Sequence, residues 1–182
     1  MTVAERFCWC GARVSAGDGP VHSYMHAAPG CWELYCSLED WKASLSGSAA
    51  VTAVQQLVDL YAVQHAANPE RRNRQSVAVH LMSLCASLER GMPGVTLRRV
   101  MGEWTHHDYP VLEPRPASFS VTIRDIAEAP VAERSAVIGA GARASWEAWS
   151  AHHDQVRLWL DQAGSGSLTR RGDEAGKSQS SW

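Results

Sequence analysis

The amino-acid sequence predicts an all-α protein, a bundle of about four to five helices with an irregular Cys/His segment at its N-terminal end. Apolar residues recur at steps of three and four along most of the chain, which is the spacing of one helix face. The helical stretches follow one another with short links, an order typical of a bundle. We therefore expect one helical domain over residues 1–163, with residues 1–29 packed on it and residues 164–182 as a disordered tail.

The part of the chain after the irregular segment is expected to form three helices in succession. Proline favours the first helical position and glycine favours the residue after the last one. The stretch that begins at Pro29 and the stretch that begins at Pro69 or Asn73 each have a proline near their start and a glycine directly after their end. The expected helices run from Pro29 to the residue before Gly47, over residues 50–66, and from Pro69 or Asn73 to Arg90.

The remaining part of the chain is less regular. A short helix is expected over residues 95–103, and residues 109–116 must be extended or turning, because a residue before proline avoids the helical region. Residues 120–126 fit either a short strand or the start of a helix. The last helix is expected over residues 131–163, with a bend near Gly139 and Gly141.

Three of these helices place a histidine where their apolar face would have an apolar residue, namely His65, His80 and His153. Burying an imidazole requires partners for both ring nitrogens. Histidines from facing bundle helices are an established way to bind zinc or iron, so we interpret these three as ligands of one shared metal site, with His152 as the alternative to His153. Such a site predicts that loss of His65 or of His80 removes the metal to a similar degree. A hydrogen-bonded core histidine remains the alternative for each.

The N-terminal segment carries a second candidate set of metal ligands. Cys10, His22 and Cys31 could form most of a structural zinc site, which commonly uses three cysteines and a histidine or two of each. Cys8 or a bundle histidine could complete the set, although Cys8 also fits a small core residue. Cys31 opens a helix, where the dipole favours a thiolate, so it is also a candidate nucleophile.

Short segments spread along the chain form a distinctive combination. They are Cys10–Ala12, Asp18–Tyr24, Pro29–Trp32, Tyr61–His65, Gln75–Leu81, Leu88–Gly91, Leu112–Pro114, Trp146–Trp149, His152–His153 and Val156–Arg157. Together they resemble a family of bacterial proteins of unknown function, over nearly the whole chain up to about residue 163. The family pattern begins with CxxC, whereas here Phe7 stands where the first cysteine would fall and Cys8 follows it. The resemblance points to the same cysteine and histidine positions and implies no known activity.

Composition sets the limits of these interpretations. The net charge of −2 gives no electrostatic reason to expect nucleic acid or an acidic membrane surface as a partner, and no apolar run reaches the length of a membrane span. The N-terminal residues lack the apolar region of a secretory signal. Five cysteines, an odd number, are typical of reduced thiols, so we expect a cytoplasmic protein.

The sequence therefore predicts a metal-binding helical protein with zinc as the expected ion, although another divalent transition metal fits the same ligands. One hypothesis is a small metalloenzyme, in which an open coordination position binds water or a small-molecule substrate. The alternative is a non-catalytic binding or regulatory module with a closed, structural Cys/His zinc site. An all-nitrogen ligand shell with an exchangeable water would favour the first, and a closed shell with two or more sulfurs would favour the second.

Overall fold

The computed structural model describes residues 4–66 and 69–164, and it is predominantly helical. The all-α prediction with an irregular N-terminal segment is confirmed. The chain starts with two short antiparallel strands, β1 and β2, in which Arg6 lies opposite Val14. The elements in chain order are β1 (Glu5–Phe7), β2 (Arg13–Ser15), α1 (Pro29–Cys36), α2 (Glu39–Ser44), α3 (Ser48–Gln64), α4 (Arg71–Leu88), α5 (Gly94–Trp104), α6 (Ile123–Glu128), α7 (Arg134–Ala148) and a 3₁₀ turn (Ser150–His152). Residues 153–164 form a final helical segment, and the rest of the predicted tail lies outside the described residues.

Helix α3 lies at the centre of the bundle. It packs against α4, α5 and α7, while α1 packs against β2 and α6. One buried apolar cluster joins α4 to α7 and the final helical segment, and α3 contributes Val63 to it. A second cluster joins the hairpin, α1 and α6 to Leu57 and Leu60 of α3. The central helix therefore connects the N-terminal segment to the rest of the bundle.

The predicted helix from Pro29 onward is in fact two helices, because the chain turns at Ser37 and Leu38. The Ser37 hydroxyl donates a hydrogen bond to the Leu34 carbonyl at 2.7 Å. Leu38 is only 1% exposed, and Trp41 after it is also buried. Both side chains belong to the buried cluster that joins the hairpin, α1 and α6 to α3.

The last predicted helix is also divided, but the break is at Trp149 and not at Gly139 or Gly141. Trp149 is 1% exposed, and its indole N–H donates to the Val63 carbonyl at 3.3 Å. Gly141 lies inside α7, where a Cβ would come 3.1 Å from Val121 and 3.4 Å from Leu60. The glycine therefore permits close helix packing there, while burial of the indole sets the position of the break.

The ambiguous segment over residues 120–126 contains the start of α6. The Asp125 carboxylate accepts a hydrogen bond from the Thr122 backbone N–H at 2.7 Å, which satisfies a donor at the helix start. Residues 109–116 are non-helical, as predicted, and the peptide bond between Glu113 and Pro114 is cis. Within the described part of the chain, none of the helices combines the length and the apolar character needed to cross a bilayer.

Candidate metal centre

Three cysteines and one histidine, from three separate parts of the fold, come together in the second apolar cluster. Cys8 and Cys10 lie in the turn between β1 and β2, Cys31 in the first turn of α1, and His65 at the end of α3. Their ligand atoms all lie within 4.8 Å of one another. Cys8 is 5% exposed and the other three are fully buried. This is a candidate metal centre of the Cys₃His type.

The hairpin turn places the two N-terminal thiols. The Cys8 N–H donates to the Ala12 carbonyl at 2.8 Å, and the Gly11 N–H donates to the Cys8 carbonyl at 3.0 Å. Gly11 has a φ of 91°, a backbone conformation that glycine adopts without the strain other residues incur. The chain therefore reverses within a few residues, and both Cys8 and Cys10 are buried on the side of the hairpin that faces α1 and α3.

The first turn of α1 supplies the third thiol and supports the first. Pro29 occupies the first turn, where its missing N–H carries no penalty. Cys31 follows two residues later, within the same first turn. The Ala28 N–H, just before the helix, donates to the Cys8 sulfur at 3.3 Å. Hydrogen bonds of this kind stabilise sulfur in its ionised, metal-binding form.

The imidazole of His65 is oriented by its own helix. Its Nδ1 atom lies 2.6 Å from the Tyr61 carbonyl oxygen, so Nδ1 carries the proton and donates. The Nε2 atom is then free to bind a metal, which is the arrangement seen when a histidine ligand has an outer partner. Asn73, buried inside α4, donates to the backbone carbonyl of His65 at 3.1 Å and to that of Tyr24 at 3.0 Å. It ties the end of α3 to the loop before α1.

The distances in the cluster fit a tetrahedral metal ion. In a zinc site with Zn–S bonds of about 2.3 Å and a Zn–N bond of about 2.0 Å, neighbouring sulfurs lie about 3.8 Å apart and sulfur–nitrogen pairs about 3.5 Å apart. Here the Cys10 and Cys31 sulfurs are 3.9 Å apart, and His65 Nε2 is 3.4 Å from the sulfur of Cys8 and 3.4 Å from that of Cys31. The donor set and its spacing are compatible with a zinc site.

The side chains of the cluster shift one another's pKa values. Hydrogen bonds with Cys10 and Cys31 lower the pKa of Cys8 far below its usual range, while hydrogen bonds with Cys10 and Cys8 raise the pKa of Cys31. Burial disfavours the charged form of His65, but contacts with Cys10 and Cys8 outweigh burial and raise its pKa to about 9. Protons therefore offset the thiolate charge, and a divalent cation would replace them.

The structure brings together only part of the predicted ligand set. Cys10, Cys31 and His65 lie in the cluster, and His22 does not belong to it. His22 Nδ1 accepts hydrogen bonds from the backbone N–H groups of Tyr24 at 3.4 Å and Met25 at 3.2 Å. Burial, together with the charge of His65, lowers the pKa of His22. Its role in this structure is to shape the loop before α1.

The three helix histidines do not share one site. His65 faces the cysteines, whereas His80 Nδ1 contacts the carboxylate of Asp59 at 2.7 Å. His153 stacks on the Trp146 ring, with 3.7 Å between ring centroids, and its Nε2 lies 2.9 Å from the Trp146 carbonyl oxygen. The interpretation as a common site needs correction because each imidazole has a different set of partners. The His152 Nε2 atom likewise lies 2.9 Å from the Pro114 carbonyl oxygen.

Cys8 is the ligand candidate that sequence reasoning undervalued. The sequence Cys8-Trp9-Cys10-Gly11 contained the signal, since two thiols followed by glycine fit a tight reversal of the chain. The strands around it have only three residues each, too few for an alternating pattern to be recognised. Because the hairpin was not recognised in the sequence, the single residue between the two cysteines did not indicate that both thiols are buried.

Comparison with known proteins places the chain in a sequence family. The model of a family of unknown function, DUF5946, matches residues 5–150, which include all four members of the Cys₃His cluster. No curated protein and no solved structure matches the chain.

Proposed function

The chain belongs to this family of unknown function, DUF5946, and we propose that it is a zinc-binding protein whose Cys₃His centre is structural. The observation that carries the proposal is the buried tetrahedral group of Cys8, Cys10, Cys31 and His65, with spacings that match zinc. In this proposal the ion holds the N-terminal hairpin and α1 against the central helix of the bundle.

A closed site is favoured over a catalytic one by the number and burial of the donors. Catalytic zinc sites usually use three protein ligands and leave the fourth position for water or substrate. Here four donors converge, and the least buried of them is 5% exposed. No donor would have to leave for zinc to complete its tetrahedral shell, and water has little access. These features support a structural role and argue against direct substrate activation by the ion.

The proposed ion would link segments that are far apart in the sequence. Cys8 and His65 are 57 residues apart, and Cys10 and Cys31 are 21 apart. The hairpin that carries two of the thiols has three residues in each strand, and such a small element has little stability of its own. Zinc binding would therefore contribute directly to the folding of this part of the chain.

The direct test is metal analysis of the full chain purified without added metal, followed by X-ray absorption at the zinc edge. We expect one zinc per chain with three sulfur ligands and one nitrogen ligand. A shell of nitrogen and oxygen with an exchangeable water would contradict the structural assignment and favour the metalloenzyme. Protein without tightly bound metal would contradict both.

Replacing single histidines distinguishes the Cys₃His centre from a site shared between helices. We expect His65→Ala to weaken zinc binding by more than about 100-fold, because loss of a ligand should exceed the 10- to 100-fold effect typical of outer partners. His80→Ala should retain one zinc per folded chain, because its imidazole contacts Asp59 and not the thiols. Zinc content is measured on the monodisperse fraction of each variant. Equal loss of zinc in both would show that His80 belongs to the same site.

A further inference from the structure

A cavity of about 480 Å³ lies beside the hairpin and is lined by none of the four candidate metal ligands. Its volume is within the range of small-molecule sites, about 300–1,000 Å³. The walls come from the hairpin turn, the end of α3, the loop before α6 and the residue that follows α7. Small-molecule sites are usually lined by apolar and aromatic side chains. Three aromatic rings line this cavity, namely Trp9, Phe119 and Trp149.

Trp9 is the lining residue that a ligand can reach most easily, because it is 59% exposed. It lies between Cys8 and Cys10, so the same turn that buries the two thiols leaves the indole at the surface. The Trp9 ring contacts the His26 ring edge to face, with 4.7 Å between centroids, which restricts its rotation. Single exposed apolar residues are common, but an indole that shares a cavity with two further rings is typical of a binding site.

Hydrogen bonds hold the walls of the cavity in place. The Gln64 Nε2 group donates to the Val121 carbonyl at 2.8 Å and to the Ser145 hydroxyl oxygen at 2.9 Å. The Arg115 guanidinium donates to the Ala66 carbonyl at 2.7 Å, which ties the loop before α6 to the end of α3. The cavity is therefore preformed, and a ligand that enters it has few side chains to order.

The charged side chains at this cavity offset each other. Among the described residues that line it, only Glu113 and Arg115 are charged, and they form an ion pair at 2.9 Å. A second cavity of about 530 Å³ beside α1 has no aromatic ring among its described lining residues. More than half of those residues are charged, namely Glu5, Arg13, Glu33, Arg124 and Glu128. Of the two, the cavity beside Trp9 therefore suits an uncharged, apolar ligand.

We propose that the cavity beside Trp9 binds an uncharged, planar aromatic molecule that lies against the exposed indole. Aromatic rings attract one another in offset-stacked or edge-to-face arrangements, so rings from different walls can hold a flat ring system. The ion pair of Glu113 and Arg115 leaves no excess charge at the cavity to attract an anion or a cation. The proposal goes beyond the structural zinc centre, because it gives the turn that carries two of the thiols a second role in ligand binding.

The test is a fluorescence titration of the full chain, purified without chelator, with N-phenylnaphthylamine. This uncharged aromatic probe becomes bright when it moves from water into an apolar site. We expect saturable binding of one probe per chain. Anilinonaphthalene sulfonate has the same rings and an added negative charge, and it should bind at least about 10-fold more weakly. The reason is that its sulfonate would lose water without gaining an unpaired cationic partner.

Two variants locate the uncharged probe in the cavity. Trp9→Ala removes the exposed ring and should weaken probe binding at least about 10-fold, as loss of a central aromatic contact does. Ala117→Phe keeps Trp9 but places a ring in the cavity from the loop before α6, and it should weaken binding to a similar degree. Phe7→Ala is the matched control, since Phe7 is 71% exposed on the same hairpin but does not line the cavity. Its probe affinity should equal that of the unmodified chain.

Circular dichroism and the metal content of every variant separate loss of probe binding from loss of the fold or of the metal centre. Unchanged affinity in folded Trp9→Ala would overturn the proposal. Unchanged affinity in folded Ala117→Phe would overturn it as well, because the probe would then bind outside the cavity. Tighter binding of the sulfonate than of the uncharged probe would contradict the proposed ligand class. None of these outcomes depends on which metal the Cys₃His centre holds.

Discussion

Removing zinc from the Cys₃His centre is expected to lower the melting temperature of the protein by roughly 8–16 °C. Structural zinc contributes about 10–16 kcal/mol of apparent binding free energy in small zinc-finger peptides. A ligand present at about 1,000 times its Kd stabilises the folded chain by about 4 kcal/mol, and we expect a stabilisation of this size here. For a chain of this size, each kcal/mol corresponds to roughly 2–4 °C. The physical reason is that three thiols and an imidazole, all buried, would otherwise face one another without a cation. The measurement is thermal unfolding followed by circular dichroism, with and without a strong chelator.

Cys31→Ser and Cys36→Ser form a matched pair for this prediction. Both residues lie on α1, but Cys31 is fully buried in the cluster whereas Cys36 is exposed. We expect Cys31→Ser to lose zinc and to melt as low as the chelated protein, with no further effect of the chelator. Cys36→Ser should keep one zinc and melt within about 2 °C of the unmodified chain, as a surface substitution does. If both variants melted alike, the stability would not depend on the metal.

The helical architecture could be predicted because it depends on periodicity within short stretches. The apolar spacing that predicted a helix over residues 50–66 corresponds to α3, whose bounds are Ser48–Gln64. Breaks were harder to predict, since they depend on distant partners. Trp149 interrupts the last predicted helix where its indole reaches Val63, a residue 86 positions away. Nothing near Trp149 in the sequence indicates that contact.

The candidate site could be predicted only in part, for the same reason. A helical stripe identifies the face on which a histidine lies, but not the neighbour that this face meets. His65 and His80 are both on inward-facing positions of adjacent helices, yet one meets thiols and the other meets Asp59. The choice between them depends on the hairpin, which the sequence did not reveal. The residue types therefore predicted a metal site of cysteine and histidine ligands, but they did not predict which cysteines and histidines come together in it.

Gly30→Ala is expected to reduce both stability and zinc affinity. Gly30 lies in the first turn of α1, directly before Cys31, and its helix contacts β2. A Cβ at this position would lie 2.7 Å from the Ser15 carbonyl oxygen and 2.9 Å from the Ser15 nitrogen, both backbone atoms that cannot rotate away. We expect a loss of about 1–3 kcal/mol from this overpacking. Because the displaced strand belongs to the hairpin that holds Cys8 and Cys10, zinc affinity should fall at least about 10-fold, as it does when an outer support of a ligand is removed.

Gly94→Ala is the control for this prediction, because it introduces the same kind of steric clash with backbone atoms at a different place in the fold. Gly94 begins α5, and a Cβ there would lie 2.7 Å from the Thr52 Cα and 2.8 Å from the Thr52 nitrogen. The loss of stability should be similar, but zinc affinity should not change, since α5 contributes no member of the cluster. Gly102→Ala, in open space on the same helix, should be neutral or more stable by up to about 1 kcal/mol. Chemical unfolding and a competitive zinc titration measure the two quantities separately. Equal zinc affinity in Gly30→Ala and Gly94→Ala would mean that the close contact between α1 and the hairpin does not position the thiols.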